Sequence, residues 1–256
     1  MNYKLLFKSA MLAGEIMAQS GAETFRVEDT MNRILQTSKL QSVEIYATTT
    51  GIVASLADPS IEPISGVIRI SNRANNLSRI NDVNQISRNI CDNKISLEEA
   101  VEKLGTIRDH KIYSKLTIMI ATVISTFGFA GIFGGTLGDC AIAAVNGLFL
   151  VLISRFSVNL VGSAFMVDAA KSFAVAFITM LSTLLFLPLH KEIIIIGSIM
   201  PLVPGIPITN AIRDTLQGDY MSGTARAVEA FVISLGIAMG VGAGIGLFNF
   251  LERLVA

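Results

Sequence analysis

Leu116–Gly138 reads LTIMIATVISTFGFAGIFGGTLG, 23 residues without a charge. A helix of about 20 apolar residues crosses the ~30 Å hydrocarbon layer of a bilayer. Three more runs pass the same test: Ser172–His190 with 19 residues, Ile193–Ile212 with 20 and Ala230–Leu251 with 22. Cys140–Ser154 holds 15, and extending it past Asp139 to Leu137 at a membrane edge makes 18. These runs predict an α-helical integral membrane protein with five transmembrane helices, at about 116–136, 137–154, 170–189, 193–212 and 228–251.

Composition agrees. Of 256 residues, 52% are hydrophobic and 16% charged, and the mean hydropathy is +0.60, too apolar for an ordinary soluble domain. Twenty basic and twenty acidic residues cancel, which argues against nucleic acid as a partner. The charge is uneven: residues 1–115 hold 14 Lys/Arg and 13 Asp/Glu, residues 116–256 only 6 and 7. The division predicts a small N-terminal α+β domain, 1–115, followed by a transmembrane domain, 116–256. Cys91 and Cys140 show no Cys-x-x-Cys spacing, so no metal site, disulfide framework or cofactor is expected. His110 and His190, each beside a lysine, read as boundary histidines.

In the polar half, Leu5, Leu6, Met11, Leu12, Ile16 and Met17 recur at helical spacing, predicting a helix over Tyr3–Gln19 rather than a signal peptide, since Glu15 interrupts the run. Gly21 ends it, and Ser20 with Glu23 reads as a capping box for a second helix. The β-branched residues from Val43 to Leu56 predict one strand, with Val67–Ile70 as its partner across the Asp58-Pro59 and Glu62-Pro63 connection. Ser78 starts a third helix, and Ser96 with Glu99 caps a fourth.

Lys103, Arg108, Lys111 and Lys115 precede the first span and no Lys or Arg lies in the turn after it, so the N-terminal domain is expected on the cytoplasmic side of a cell inner membrane. The Arg213–Arg226 loop then falls inside. Between Arg155 and Lys171 two readings stand: an interfacial segment, or a third span starting near Leu160 and carrying an Asp168–Lys171 pair. The ~2.5–3.5 kcal/mol cost of a charge at mid-bilayer favours the first.

The chemistry concentrates around the fourth span. Pro201, Pro204, Gly205 and Pro207 fall in seven residues; no regular helix accommodates them, and broken helices form the binding sites of many secondary transporters. Thr209, Asn210, Arg213, Asp214, Asp219, Ser222, Arg226 and Glu229 follow. The arginines suit a carboxylate, the acids an ammonium or a proton, and the neutral side chains a hydrogen bond to either. These residues, with Pro204 and Gly205, are the candidate substrate or ion site. Gly236, Gly240 and Gly244 in the last span read as helix-packing positions, not a dinucleotide fingerprint, because the spacing is wrong and no strand precedes them. No Walker motif occurs, so a gradient is the expected driving force.

Gly14-Glu15-Ile16, Gln19-Ser20-Gly21-Ala22-Glu23-Thr24 and Arg26-Val27-Glu28 resemble the N-terminal signature of the threonine/serine exporter family, ThrE. Pro204-Gly205, Thr209-Asn210-Ala211-Ile212-Arg213-Asp214, Gly218-Asp219, Ser222-Gly223, Arg226 and Glu229-Ala230 resemble its membrane signature. The resemblance implies an inner-membrane exporter of threonine or serine, driven by proton-motive force. It also implies the larger subunit of a split exporter, because single-chain members carry a second membrane half. A small membrane-protein partner, an oligomer and a polar metabolite as substrate are then expected. A related split pair is associated with succinate, which leaves a dicarboxylate as the alternative solute. Gly21, Glu23, Thr24, Arg26 and Glu28 are candidates for a cytoplasmic gate or vestibule. Two other classes remain: a membrane-anchored hydrolase, for which no nucleophile and base pair stands out, and a sensory or assembly subunit without a pore.

Overall fold

A computed structural model describes residues 2–71, 73–109, 113–157, 164–185 and 188–255. Contacts divide the chain into two compact units, Met1–Lys111 with Gly205–Val228, and Ile112–Pro204 with Glu229–Ala256. The sequence reading drew a single boundary at 115; the segment after the proline cluster packs instead with the N-terminal residues.

The first unit contains α1 (Tyr3–Gln19), α2 (Thr24–Gln36), β1 (Ser42–Ala47), β2 (Gly51–Asp58), β3 (Ile61–Arg69), α3 (Leu77–Cys91), α4 (Leu97–Asp109) and α9 (Gly205–Leu216). Leu6, Ile16 and Met17 of α1 are fully buried with Met31, Ile34 and Leu35 of α2 and Ile52 and Leu56 of β2. One side of β2 therefore lies in this core while Val53 is exposed, the period-two pattern of a half-covered sheet.

The sheet corrects one expectation. Val43–Leu56 is two antiparallel strands, pairing Ile45 with Ala54, and β3 joins as an edge strand from Ile61. Thr48 makes the reversal: its Oγ1 accepts from the Thr50 and Gly51 nitrogens and donates to the Gly51 carbonyl. Such local bonds let a β-branched run turn without Asn-Gly. Pro63 is tolerated within β3 because an edge strand has ladder positions with no partner.

The second unit contains α5 (Lys115–Ile132), α6 (Leu137–Ser157), α7 (Ala164–Leu185), α8 (Lys191–Ile199) and the greater part of α10 (Tyr220–Val255). Among the described residues, four helices are long and apolar enough to cross a membrane: Lys115–Ile132, Leu137–Phe156, Phe165–Leu185 and Tyr220–Leu254. The pair Lys191–Leu202 and Gly205–Leu216 passes the same test jointly as a broken fifth. The molecule is thus mostly helical, with four to five candidate spans and a three-stranded antiparallel sheet near its N-terminus, as befits a membrane protein. Leu116, Ile118, Ile120, Ile124 and Phe127 of α5 are exposed, the surface expected of a helix solvated by lipid.

α7 already runs from Ala164, so Asp168 and Lys171 lie within its first turns, paired at 3.1 Å and mostly covered. The pair expected on one helical face is thus formed; residues 158–163 lie outside the described set, as does His110. His190, read as a boundary histidine, has a specific partner. Its backbone nitrogen and Nδ1 both meet the buried Asp139 carboxylate, at 2.8 and 2.9 Å, which also accepts from the Thr136 nitrogen and hydroxyl. One carboxylate thereby satisfies donors at the starts of both α6 and α8.

Gly236, Gly240 and Gly244 face α7. A Cβ on Gly240 would lie 2.2 Å from the Ala169 carbonyl oxygen, and one on Gly244 would lie 2.7 Å from that of Phe173. These glycines let two helices of the same chain approach to backbone contact. Deeper in the unit, Asn146 Nδ2 donates to Thr179 Oγ1 and Ser198 Oγ, both at 3.0 Å, joining α6, α7 and α8.

Candidate functional site

The site is built within the first unit, where the α1–α2 turn meets α9 and the start of α10. α1 ends with Gly21 at φ +80°, the left-handed conformation glycine adopts without strain; the Ala22 nitrogen bonds back to the Met17 carbonyl and that of Gly21 to Ala18. Ser20 is therefore the C-cap of α1 and does not open α2. The N-cap of α2 is Glu23, whose side chain makes no cap bond. The capping box fails because a carboxylate from far along the chain occupies that end of the helix.

That carboxylate is Asp214. Its Oδ1 accepts from the Thr24 nitrogen at 3.0 Å and its Oδ2 from the Thr24 hydroxyl at 3.2 Å, and it is fully buried. An anion here meets the unpaired donors and the positive end of the helix dipole. Arg226 approaches from α10: its Nε lies 2.9 Å from Asp214 Oδ2 and its Nη2 donates to the Ala22 carbonyl at 2.7 Å. Asn210 Nδ2 donates to the Gly21 carbonyl at 2.9 Å, and Arg213 pairs with Glu23.

The local sequence explains this convergence. Pro204 blocks regular continuation from the preceding helix, and Pro207 sits in the first turn of α9, where its missing donor costs nothing. α9 ends at Leu216 in a tight reversal, with Gly218 at φ +93° and the Asp219 nitrogen bonded to the Asp214 carbonyl. The reversal returns Arg226 to Asp214. The expected Arg213–Arg226 loop is thus a helix end, a three-residue turn and a helix start.

A cleft of about 370 Å³ opens beside this joint, lined by Gly21, Glu23, Arg26, Thr209, Asn210 and Arg213, with Leu77, Ile80, Gly205 and Ile206 completing its walls. The structure brings most of both predicted groups to one place but divides their roles. Asp214, Thr24 and Arg226 are buried and engaged with one another; Glu23, Arg26, Thr209 and Arg213 face the cleft. Ser222 is buried. Pro204 and Glu229 belong to the second unit. Glu28 and Asp219 lie on neither side: Glu28 accepts from the Ala47 nitrogen at 2.7 Å. Burial pushes the Glu28 carboxyl above its ordinary range, opposed by that hydrogen bond and aided by the negative charge of Asp219. Burial and then the charge of Asp214 raise Asp219. Leu77 and Ile80 escaped the sequence reading; the only signal for them was the helix start after Asn76, one residue earlier than the start expected at Ser78.

The family model described as "Putative threonine/serine exporter", ThrE, matches residues 8–248. This chain belongs to the ThrE family. It is 23% identical over 230 residues to the "Probable threonine/serine exporter" of Mycobacterium tuberculosis, covering 89% of this chain and 43% of that protein. It is 24% identical over 230 residues to the "Probable succinate transporter subunit YjjP" of Klebsiella aerogenes, covering 88% of this chain and 87% of the relative. The ThrE chain thus spans less than half of the first relative and most of the second. No solved structure matches it. Family membership and the apolar helices support a multi-pass membrane protein, and the two ThrE-like segments read from the sequence are the ones that meet at Thr24 and Asp214.

Proposed function

We propose that the chain is a subunit of a gradient-driven inner-membrane exporter of small polar metabolites, with threonine and serine as the leading solutes and a dicarboxylate as the alternative. The observation that carries this reading is that the two signature segments meet at a cleft bordered by Glu23, Arg26, Thr209 and Arg213, directly after a proline-broken apolar run in the sequence. A broken helix beside hydrogen-bonding groups is how secondary transporters receive a polar solute. The Lys103, Arg108, Lys111 and Lys115 cluster supports a cytoplasmic N-terminus. The subunit name of the second relative supports assembly with a membrane partner.

The test is reconstitution into liposomes with and without that partner, following labelled serine, threonine and succinate under an imposed pH gradient. Movement of one solute class that needs the partner and collapses when the gradient is dissipated is expected. Gradient-independent leakage, or no movement of any of the three, overturns the reading.

A further inference from the structure

The three-stranded sheet has two outer edges, and they differ. β3 carries Pro63 and a register shift opposite Leu56 and Asp58, features that blunt an edge against further pairing. β1 has neither. The Thr48 nitrogen donates toward β2, to the Gly51 carbonyl at 2.8 Å, whereas the Ala47 nitrogen donates away from it, to Glu28 at 2.7 Å. Alternation along the strand turns the backbone N–H and C=O groups of Val43 and Ile45 to the same outer side as those of Ala47. Among the described residues no strand pairs with them there. Glu28 therefore closes this edge at Ala47 and leaves it open over Val43 and Ile45.

α2 runs beside the open stretch. Phe25, Glu28, Asp29 and Asn32, at i, i+3, i+4 and i+7, form one stripe of that helix and line a cleft of about 300 Å³ together with Val43, Glu44 and Ile45. A helix stripe beside a free strand edge is how several domains receive an extended peptide: main-chain bonds hold it, and the walls read its alternate side chains. Charge decides which peptide fits. The lining holds three carboxylates and no basic side chain. Arg33 pairs with Asp29 at 2.8 Å, but Asp219 adds a negative charge that acts on Glu28, so the surplus stays negative. Phe25, half exposed, offers a ring face to a cation. A second copy of β1 would instead bring its own Glu44 against these acids, a like-charge contact that selects against self-pairing.

We propose that the β1 edge and the α2 stripe form a docking groove for an extended, basic segment of another polypeptide. The segment adds to the sheet beyond β1 through the backbone groups of Val43 and Ile45 and sets Lys or Arg side chains against Glu28, Asp29 and Glu44. This surface is separate from the cleft at α9 and does not rest on the exporter reading.

The experiment uses the purified full-length chain and two capped probes, acetyl-Thr-Lys-Val-Arg-Val-Thr-amide and the same peptide with both basic residues replaced by glutamate. Fluorescence anisotropy reads affinity and hydrogen exchange reads the place of binding. The basic peptide should bind, and the acidic one at least ~10-fold more weakly. Glu44 is exposed, so Glu44→Gln and Glu44→Lys should leave thermal unfolding unchanged. Glu44→Gln should weaken the basic peptide, and Glu44→Lys should weaken it at least ~10-fold. Bound peptide should slow exchange in Ser42–Ala47 and leave Ile61–Arg69, the other edge, unchanged. No binding of the basic peptide, equal affinity for both probes, full affinity in Glu44→Lys, or protection outside Ser42–Ala47 overturns the proposal. Protection of Ser42–Ala47 that grows with protein concentration in the absence of peptide also overturns it, by assigning the edge to a second copy of the chain.

Discussion

Asp214 takes both the backbone nitrogen and the hydroxyl of Thr24, 190 residues earlier in the chain, and shares its carboxylate with Arg226. It serves as the N-terminal cap of α2, delivered by another helix. The Arg226 side chain is 8% exposed and that of Asp214 is not exposed at all, so removing the acid takes a close counter-charge from a buried guanidinium. Breaking such a pair costs about 3–5 kcal/mol, whereas losing one capping hydroxyl costs about 1 kcal/mol. Asp214→Ala should therefore lower the unfolding midpoint of the full-length chain far more than Thr24→Ala. Equal shifts in thermal unfolding would show that the pair with Arg226 contributes nothing. Loss of export on substituting Asp214 is then expected through loss of this joint, not of a solute contact.

Gly240 and Gly242 offer an internally controlled pair on α10. A Cβ at 240 would meet the Ala169 carbonyl oxygen at 2.2 Å and the Phe173 nitrogen at 3.0 Å, while one at 242 meets nothing within 4 Å. Backbone cannot yield as a flexible side chain does, so Gly240→Ala must push α7 away. It should destabilise by about 1–3 kcal/mol, the usual range for overpacking, while Gly242→Ala should be neutral or slightly stabilising, since alanine is the better helix former. Detergent-denaturation curves of the two variants decide the matter, and a harmless Gly240→Ala would refute the close approach.

Much of this was legible in the residues themselves, and the limits were physical. The charge-free runs fix helices α5, α6 and α10 because desolvated backbone has few alternatives in a membrane. Ser96 caps α4 as read, its hydroxyl accepting from the Glu99 nitrogen. Signals resting on local competition failed: the Thr48 reversal looks like strand by β-branching, and Ser20 looks like a cap until the Schellman turn at Gly21 claims it. The candidate site was legible as two sets of residues but not as one place. Nothing near Thr24 announces that its cap lies at Asp214, and the division of Arg213 from Arg226, one exposed and one buried, follows from the Gly218 reversal alone.

Glu28 and Asp219 predict a pH dependence with a definite sign. Both carboxyls are raised in the folded chain, Glu28 from 4.5 and Asp219 from 3.8, with burial the largest cause in each case. A raised carboxyl means the folded state binds the proton more tightly than the unfolded one. Its contribution is complete below the unfolded value and is lost as pH rises through the folded value. Stability should accordingly decline as pH increases from about 4 toward neutrality. Glu28→Gln keeps an oxygen for the Ala47 nitrogen and removes the charge, so it should flatten that slope and stabilise the chain near pH 7. Unfolding midpoints at a series of pH values test this, and a wild-type slope retained in Glu28→Gln would place the dependence elsewhere.

The Asn146 cluster makes the last prediction, one that inverts the usual ranking of polar deletions. The Thr179 hydroxyl donates to the Val175 carbonyl and the Ser198 hydroxyl to the Ile194 carbonyl, each at 2.7 Å. Their protons are committed, so they can only accept from Asn146, which fixes the amide with Nδ2 toward them. Asn146 Oδ1 is left buried without a hydrogen-bond partner among the described residues. Asn146→Leu, similar in size, removes two bonds worth about 0.6 kcal/mol each in a membrane interior. It also removes an orphan acceptor costing about 1–3 kcal/mol. Thr179→Val removes one of those bonds and leaves an amide donor stranded in its place. Asn146→Leu should therefore stay within about 1 kcal/mol of the parent while Thr179→Val, the smaller chemical change, costs more. Unfolding of both variants in the same detergent measures the order, and a reversed order would mean that Asn146 Oδ1 has a donor that stabilises the helix core.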